Sequence, residues 1–317
     1  MSDPITRTGS LQYGVQLPIQ TLTRTLREPW EDDATVDDLV AVAKAAEDAG
    51  CAFIGVCDHV ALPVNDYTRH MTPTWYDPIS TLGFLAAHTS RARLLTEVFI
   101  AAYRHPLVAA KSFITLDHLS GGRVILGVGA GHVESEFDAL GIDFRTRGPR
   151  TDESIDAMRA AFEQEYSQFS GTFYDYKEVG LAPRPVQSHV PIWIGGSGKP
   201  ALRRVAQRGD GWIPQGTPRA QMRACVDYIL AHRDKVRPQA HLDLGFMPEW
   251  IYIGTPSWDI GEFKLTGSPD QIAESLREAN DLGCNTLHLH FRSRSRSELC
   301  DQLAAFGRDV APLLVSA

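Results

Sequence analysis

Between residues 11 and 314 the chain alternates short apolar runs with longer amphipathic ones, and the alternation repeats eight times. That leaves two main solutions: parallel strands joined by crossover helices, closed into a barrel or left as an open sheet. The strand-like runs are 11–17, 52–57, 94–101, 124–128, 191–194, 211–214, one within 242–253, and 286–291. Run 52–57 is almost wholly apolar, as a parallel strand covered on both faces must be. Helix-like runs occupy 35–49, 78–89, 107–119, a stretch after His132, then 152–164, 200–207, 219–236, a segment opened by Ser268, and 297–314. Leu39, Val42, Ala43 and Ala46 share one helical face that stops at Gly50, and Ser268-Pro269-Asp270-Gln271 has the form of a capping box. Eight units with no second composition regime predict an α/β chain folded as a single (β/α)8 TIM barrel over residues 1–317. A doubly wound open sheet is the alternative; it usually has fewer units and needs a point where strand order reverses. Such barrels take ~250 residues. The surplus is expected in insertions at about 60–77 and 168–188, the second a hairpin.

Charge narrows the partners. With 31 basic and 39 acidic residues, a net of −8, the chain lacks the broad basic face that nucleic acid or an anionic membrane requires. No apolar run approaches the ~18 residues of a membrane span. The polar first ten residues lack the apolar core of a signal peptide, so a cytoplasmic protein is expected. The five cysteines are scattered and form no Cys-x-x-Cys pair, which suits reduced packing residues better than a disulfide or zinc framework. A small-molecule substrate remains the natural partner.

In a barrel, chemistry gathers at the carboxyl ends of the strands. The second strand ends in Asp58-His59; an imidazole there can move a proton near neutral pH, or the pair can simply cap and bond local backbone. The fourth runs into Gly127-Val128-Gly129-Ala130-Gly131-His132, with Glu136 four residues past the histidine. Glycines there admit a close backbone approach to a planar or anionic ligand, or make a tight turn. His132 takes the last glycine position of a dinucleotide fingerprint, so that motif fails. The fifth strand ends in Gly195-Gly196-Ser197-Gly198-Lys199 before a helix, a form that cradles an anion on free amides. Pro200 stands where a P-loop needs Ser or Thr, which excludes the triphosphate motif. Arg104-His105-Pro106 can be no more than a helix start. His288 and His290 share one face of the eighth strand, toward either the barrel mouth or the helix layer, and no set of side chains has metal spacing.

These segments make the chain recognisable. It resembles the luciferase-like monooxygenase superfamily, in its branch of coenzyme F420-dependent oxidoreductases. The resemblance rests on Tyr13-Gly14-Val15-Gln16-Leu17-Pro18, Asp58-His59, Leu119-Ser120-Gly121-Gly122-Arg123, Leu126 to Gly131 with Glu136, Leu140-Gly141-Ile142, Pro191 to Gly196, and Asp210-Gly211-Trp212. It covers nearly the whole chain, and the string from Ser120 to Glu136 is specific for the superfamily more than for F420 over FMN. The resemblance implies a ring-binding barrel mouth and hydride transfer between the deazaflavin C5 and a small organic substrate. His59 is then the proton donor or acceptor, and Glu136 and His132 complete the catalytic set. Asp58 lies beside the ring, Ala130 and Gly131 run along it, and Gly195 through Gly198 with Lys199 hold the phosphate. Lys199, Arg203 and Arg204 would form a basic rim for the cofactor tail. A non-prolyl cis peptide is implied at Glu97-Val98 as the backstop of the ring. Glu97 is unusual there, because the family places a small residue at that position; its carboxylate must turn into the barrel, toward an Arg or His, or the ring must sit differently. Substrate would meet the loop bearing Tyr67, His70, Trp75 and Tyr76, unless those aromatics form only the core of a lid. Homodimers are common in the family. Two alternatives stay open: an FMN-dependent monooxygenase served by a separate flavin reductase, and a non-catalytic flavin- or F420-binding barrel.

Overall fold

The computed structural model describes residues 11–315 except 22, 24, 25 and 239. Eight parallel strands form its centre: β1 (Gln12–Gln16), β2 (Phe53–Val56), β3 (Arg93–Thr96), β4 (Val124–Gly129), β5 (Ile192–Gly195), β6 (Gly211–Ile213), β7 (Asp243–Phe246) and β8 (Thr286–Leu289). Each pairs with its neighbour in sequence, and β8 pairs with β1 in register Gly14↔His288, which closes the barrel and excludes the open sheet. The two-residue strand Phe99–Ile100 continues β3 alongside the end of β4, beyond a break at Glu97–Val98.

Helices α1 (Val36–Asp48), α2 (Pro78–Ala86), α3 (Pro106–Ser120), α4 (Glu134–Ala139), α5 (Arg147–Glu163), α6 (Lys199–Arg208), α7 (Arg219–Val236), α8 (Pro269–Asp281) and α9 (Arg296–Ala305) alternate with the strands. Local chemistry sets their starts. Thr35 and Asp38 form a capping box on α1, Ser268 and Gln271 form the expected one on α8, and the His105 ring accepts from the Leu107 amide at the head of α3. Helix α5 starts five residues ahead of the expected 152, and the expected final helix over 297–314 passes after Ala305 into a π-helical turn and a 3-10 turn.

Two cores result. The larger lies between strands and helices. A smaller one, Phe53, Leu95, Ile125, Trp193 and Ile213, fills the barrel interior. Bulky rings fit inside because glycines face them: a Cβ on Gly211 would drive into Trp193, and one on Gly14 into Phe53. The hairpin Tyr166–Ser170 with Asp175–Gly180 begins two residues ahead of the expected insertion at about 168–188. The apolar stretch 242–253 is not one strand; Trp250–Ile253 leaves the barrel and pairs in parallel with Lys264–Gly267, an insertion the sequence reading did not separate. Among the described residues no helix is long and apolar enough to cross a membrane.

Candidate active site

Because β2 ends at Val56, residues 57–59 run out onto the carboxyl end of the barrel, where a cavity of about 600 Å3 opens. That size suits a ring-shaped cofactor with a small substrate beside it. Asp58, His59, Glu97, Val98 and His132 border the cavity. Ala130 and Gly131 lie on the connection from β4 to α4, and Glu136 stands behind His59. The segment 195–199 lies outside the lining and adjoins it through Ser197, which donates to the Gln215 carbonyl at 2.8 Å and also bonds the Thr217 hydroxyl.

His59 is held firmly through one ring nitrogen. Its Nδ1 lies 2.7 Å from Glu136 Oε2, and the Tyr103 hydroxyl donates to the same oxygen at 2.8 Å. The amides of Val60 and Ala61 donate to Glu136 Oε1 at 2.6 and 3.1 Å. Burial alone would raise the Glu136 pKa, but the hydrogen bonds and charge of His59, with Tyr103 and the Ala61 amide, pull it below its ordinary value. Burial and the neighbouring carboxylate both push the Tyr103 phenol upward, so it stays a donor. A carboxylate only accepts; His59 Nδ1 therefore carries the hydrogen, and Nε2 is the position free to exchange a proton. The His59 ring meets Trp75 edge-on at 4.3 Å and His132 at 5.8 Å. His132 precedes α4, so it and Glu136 do not share a helical face; they meet through His59. Loss of solvent around its ring and the nearby His59 lower the His132 pKa, which favours the neutral form.

Asp58 borders the cavity with its carboxylate already engaged. Both its oxygens are taken by Arg104, at 2.6 and 2.9 Å, and Oδ2 also accepts from the Ile100 amide at 2.8 Å. Its carboxylate thus ties the end of β2 to the continuation of β3, and Arg104 does more than start a helix.

The floor is built at the break in β3. The Glu97–Val98 peptide is cis, at the position the resemblance implied. Val98 packs into a notch made by strand-end glycines: a Cβ on Gly195 would lie 2.7 Å from Val98 Cγ1, and one on Gly129 would come closer still to Cγ2. Glu97 turns into the barrel interior over Gly55 and binds His288 Nδ1 through Oε1 at 2.7 Å, both side chains being buried. Glu97 Oε2 and His288 Nε2 have no protein partner. His290 lies one step further up: its Nε2 is 3.1 Å from Gln16 Oε1, its ring stacks on Trp250, and burial lowers its pKa. His288 on β8 and His290 just past its end thus both face inward.

At the fifth strand, Gly196 takes φ +106°, which a side chain would resist, and no side chain caps α6 at Gly198. Lys199 is exposed at that helix start. Arg204, expected on the rim, is instead buried and bonded to Asp152 at 2.7 Å and to the Gly148 carbonyl; Arg203 lies 3.8 Å from the same aspartate. Of the expected basic rim, Lys199 alone has neither arginine's bond to Asp152. Among the described residues no group of three or more His, Cys, Asp or Glu is placed to hold a metal.

Tyr103, which also donates to Glu136, carried no sequence signal; it sits on the 3-10 turn Ala101–Tyr103.

The model of luciferase-like monooxygenases matches residues 11–251, and the chain belongs to that family. It is 36% identical over 256 residues to an uncharacterized protein of Mycobacterium tuberculosis (strain ATCC 25618 / H37Rv), covering 74% of this chain and 88% of the relative. An F420-dependent glucose-6-phosphate dehydrogenase of Segniliparus rotundus is 26% identical over 325 residues, with 88% of this chain and 94% of that protein covered. The crystal structure of monooxygenase RslO1 from Streptomyces bottropensis superposes with a TM-score of 0.75 at 20% identity, over 95% and 99% of the two chains, a likeness of fold.

Proposed function

We infer that this protein is an F420-dependent oxidoreductase that transfers a hydride between the deazaflavin C5 and a small organic substrate. One observation carries the proposal: a cavity-bordering imidazole, His59, backed by a buried carboxylate and set beside the Val98 floor. The residues present suit such a cofactor. Glycines at 129 and 195 let Val98 form a flat seat, Gly196 and the uncapped head of α6 offer amides to a phosphodiester, and Lys199 adds one positive charge there. When bound, F420 supplies the carbon that gives or accepts the hydride. Every other part of the task falls to the chain. His59 Nε2 gives or takes the substrate proton as the hydride moves, while Glu136 fixes the ring's tautomer and balances the charge that forms on it. Tyr103 and the amides of Val60 and Ala61 hold Glu136 in place. Trp75 and the loop around it exclude water from one side of the imidazole.

The test is a pair of binding titrations of the apo-protein, with F420 and with FMN. F420 should bind more tightly, with affinity falling at high salt and in Lys199→Ala. Tight FMN binding without F420 binding would reject the assignment in favour of a flavin monooxygenase supplied by a separate reductase. Binding without turnover, indifferent to His59→Ala, would leave a carrier barrel.

A further inference from the structure

Besides its polar residues, the cavity has an apolar wall. Trp30, Met71, Trp75, Trp250 and Phe263 line it from three separate segments, those after β1, β2 and β7. Two of the three indole N–H groups are already engaged: that of Trp30 donates to Ser293 Oγ at 3.1 Å and that of Trp75 to the Thr72 carbonyl at 2.9 Å. Those two rings therefore offer the cavity carbon surface. The wall continues to solvent, because Leu26 and Phe263 both line the cavity and remain 58% and 60% exposed.

Charge on the lining is internally compensated. Glu28 pairs with Arg292 at 3.2 Å, Asp58 with Arg104, and Glu97 with His288, while Glu31 accepts the amides of Ile19 and Glu28 at 2.8 Å each. Among the described lining residues there is no lysine or arginine. The lowered pKa values of His132 and His290 keep those imidazoles neutral near pH 7. A phosphorylated sugar entering here would surrender hydration without a cation in exchange, a desolvation cost of the kind that excludes unpaired charges from protein interiors. An alkyl chain or fused ring would displace water from surface that cannot bond it.

We propose that the substrate of this site is an uncharged, mainly apolar organic molecule that lies against the Trp30–Trp250–Phe263 wall and extends past Leu26 toward solvent. It is not a sugar phosphate, despite the resemblance to a glucose-6-phosphate dehydrogenase. The proposal rests on the hydride-transfer assignment for the identity of the site, but the wall itself can be probed by binding alone.

Isothermal titration calorimetry of the F420-loaded protein with a ketone series, acetone, 2-hexanone and 2-decanone, and with glucose 6-phosphate, tests it. Affinity should rise about three- to fourfold per added methylene until the cavity is filled, as burial of apolar carbon requires, and glucose 6-phosphate should not bind. Leu26→Ser and Phe263→Ser, both at exposed positions, should weaken 2-decanone several-fold and leave acetone and F420 affinity unchanged. A flat dependence on chain length, tighter binding of glucose 6-phosphate than of any ketone, or 2-decanone affinity indifferent to both serine variants would each overturn the proposal. Should F420 itself fail to bind, the cofactor assignment falls; the same ketone series on the unloaded protein still judges the wall, so the two failures are distinct.

Discussion

Gly195→Ala isolates the floor of the site in one atom. Gly195 is not in the left-handed region, so alanine carries no backbone penalty, and the effect must come from the added Cβ. That atom would lie 2.7 Å from Val98 Cγ1 and 3.4 Å from Cγ2. Carbon pairs rest at about 3.5–4.0 Å, so the first contact overlaps by roughly 1 Å. Overpacking of this size costs ~1–3 kcal/mol, and here it falls on a half-buried residue gripped from the other side by Gly129. Val98→Ala removes both methyl groups, at a cost of about 1–2 kcal/mol for two partly buried carbons. The double variant gives alanine 195 the vacated space, so the two costs should not add; a coupling of ~1–2 kcal/mol in the relieving direction is expected. Guanidinium unfolding of wild type, both single variants and the double variant measures it. Cofactor titration of the same four proteins should show Gly195→Ala weakening binding at least tenfold, with the double variant partly restored. Additive destabilisation, or cofactor affinity untouched by Gly195→Ala, would refute the account of Val98 as a floor seated by strand-end glycines.

Three other outcomes follow from the same geometry. Glu136→Gln swaps one acceptor oxygen for an NH2 facing existing donors, so hydride transfer, followed by F420 absorbance, should slow on the order of 10²–10⁴-fold, while Tyr103→Phe slows it less. Glu97→Ala leaves His288 buried without its partner and should destabilise by roughly 3–5 kcal/mol in urea unfolding, with Glu97→Gln milder because the amide oxygen can still accept. Asp210 is buried, which favours its neutral form, yet its bonds to His189 and Ile192 N and the charge of Arg159 hold its pKa well below the usual carboxylate range. A depressed pKa stabilises the fold above the ordinary carboxyl pKa of about 4 and loses that contribution as pH falls through the lowered value. Wild-type stability should therefore drop steeply below about pH 4, whereas Asp210→Asn should be weaker at pH 7 and flatter in acid, as thermal melts at stepped pH will show.

The barrel was legible because its signal is local. A strand such as Phe53–Val56, with every residue buried, must be apolar throughout, and helices such as α8 announce their starts through Ser268 and Gln271. Where two short strands adjoin with no strong break, the signal merges: Asp243–Phe246 and Trp250–Ile253 share one apolar stretch yet belong to different sheets. His59 stood out as a candidate for the same local reason, its place at a strand end. Glu136 stood out on the string after β4, but its contact with His59, 77 residues away, did not, and Tyr103, 33 residues before that carboxylate, gave no signal; both contacts form only through tertiary closure.

Glu97 shows most plainly what a sequence can and cannot say about a site. A carboxylate at a position where the family keeps a small residue is visible as an anomaly, and a buried acid must find a cation or a donor. That much predicts an arginine or histidine inside the barrel. The choice of His288 depends on register: β8 pairs with β1 so that His288 lies opposite Gly14, its ring packs 4.9 Å from that of Phe53, and Gly55 on β2 leaves room for the carboxylate. A shift of one residue would send His288 to the helix layer and leave Glu97 buried alone. The ion pair and the register therefore constrain one another. Two glycines and a histidine on three different strands are what make an acid tolerable at the cavity lining.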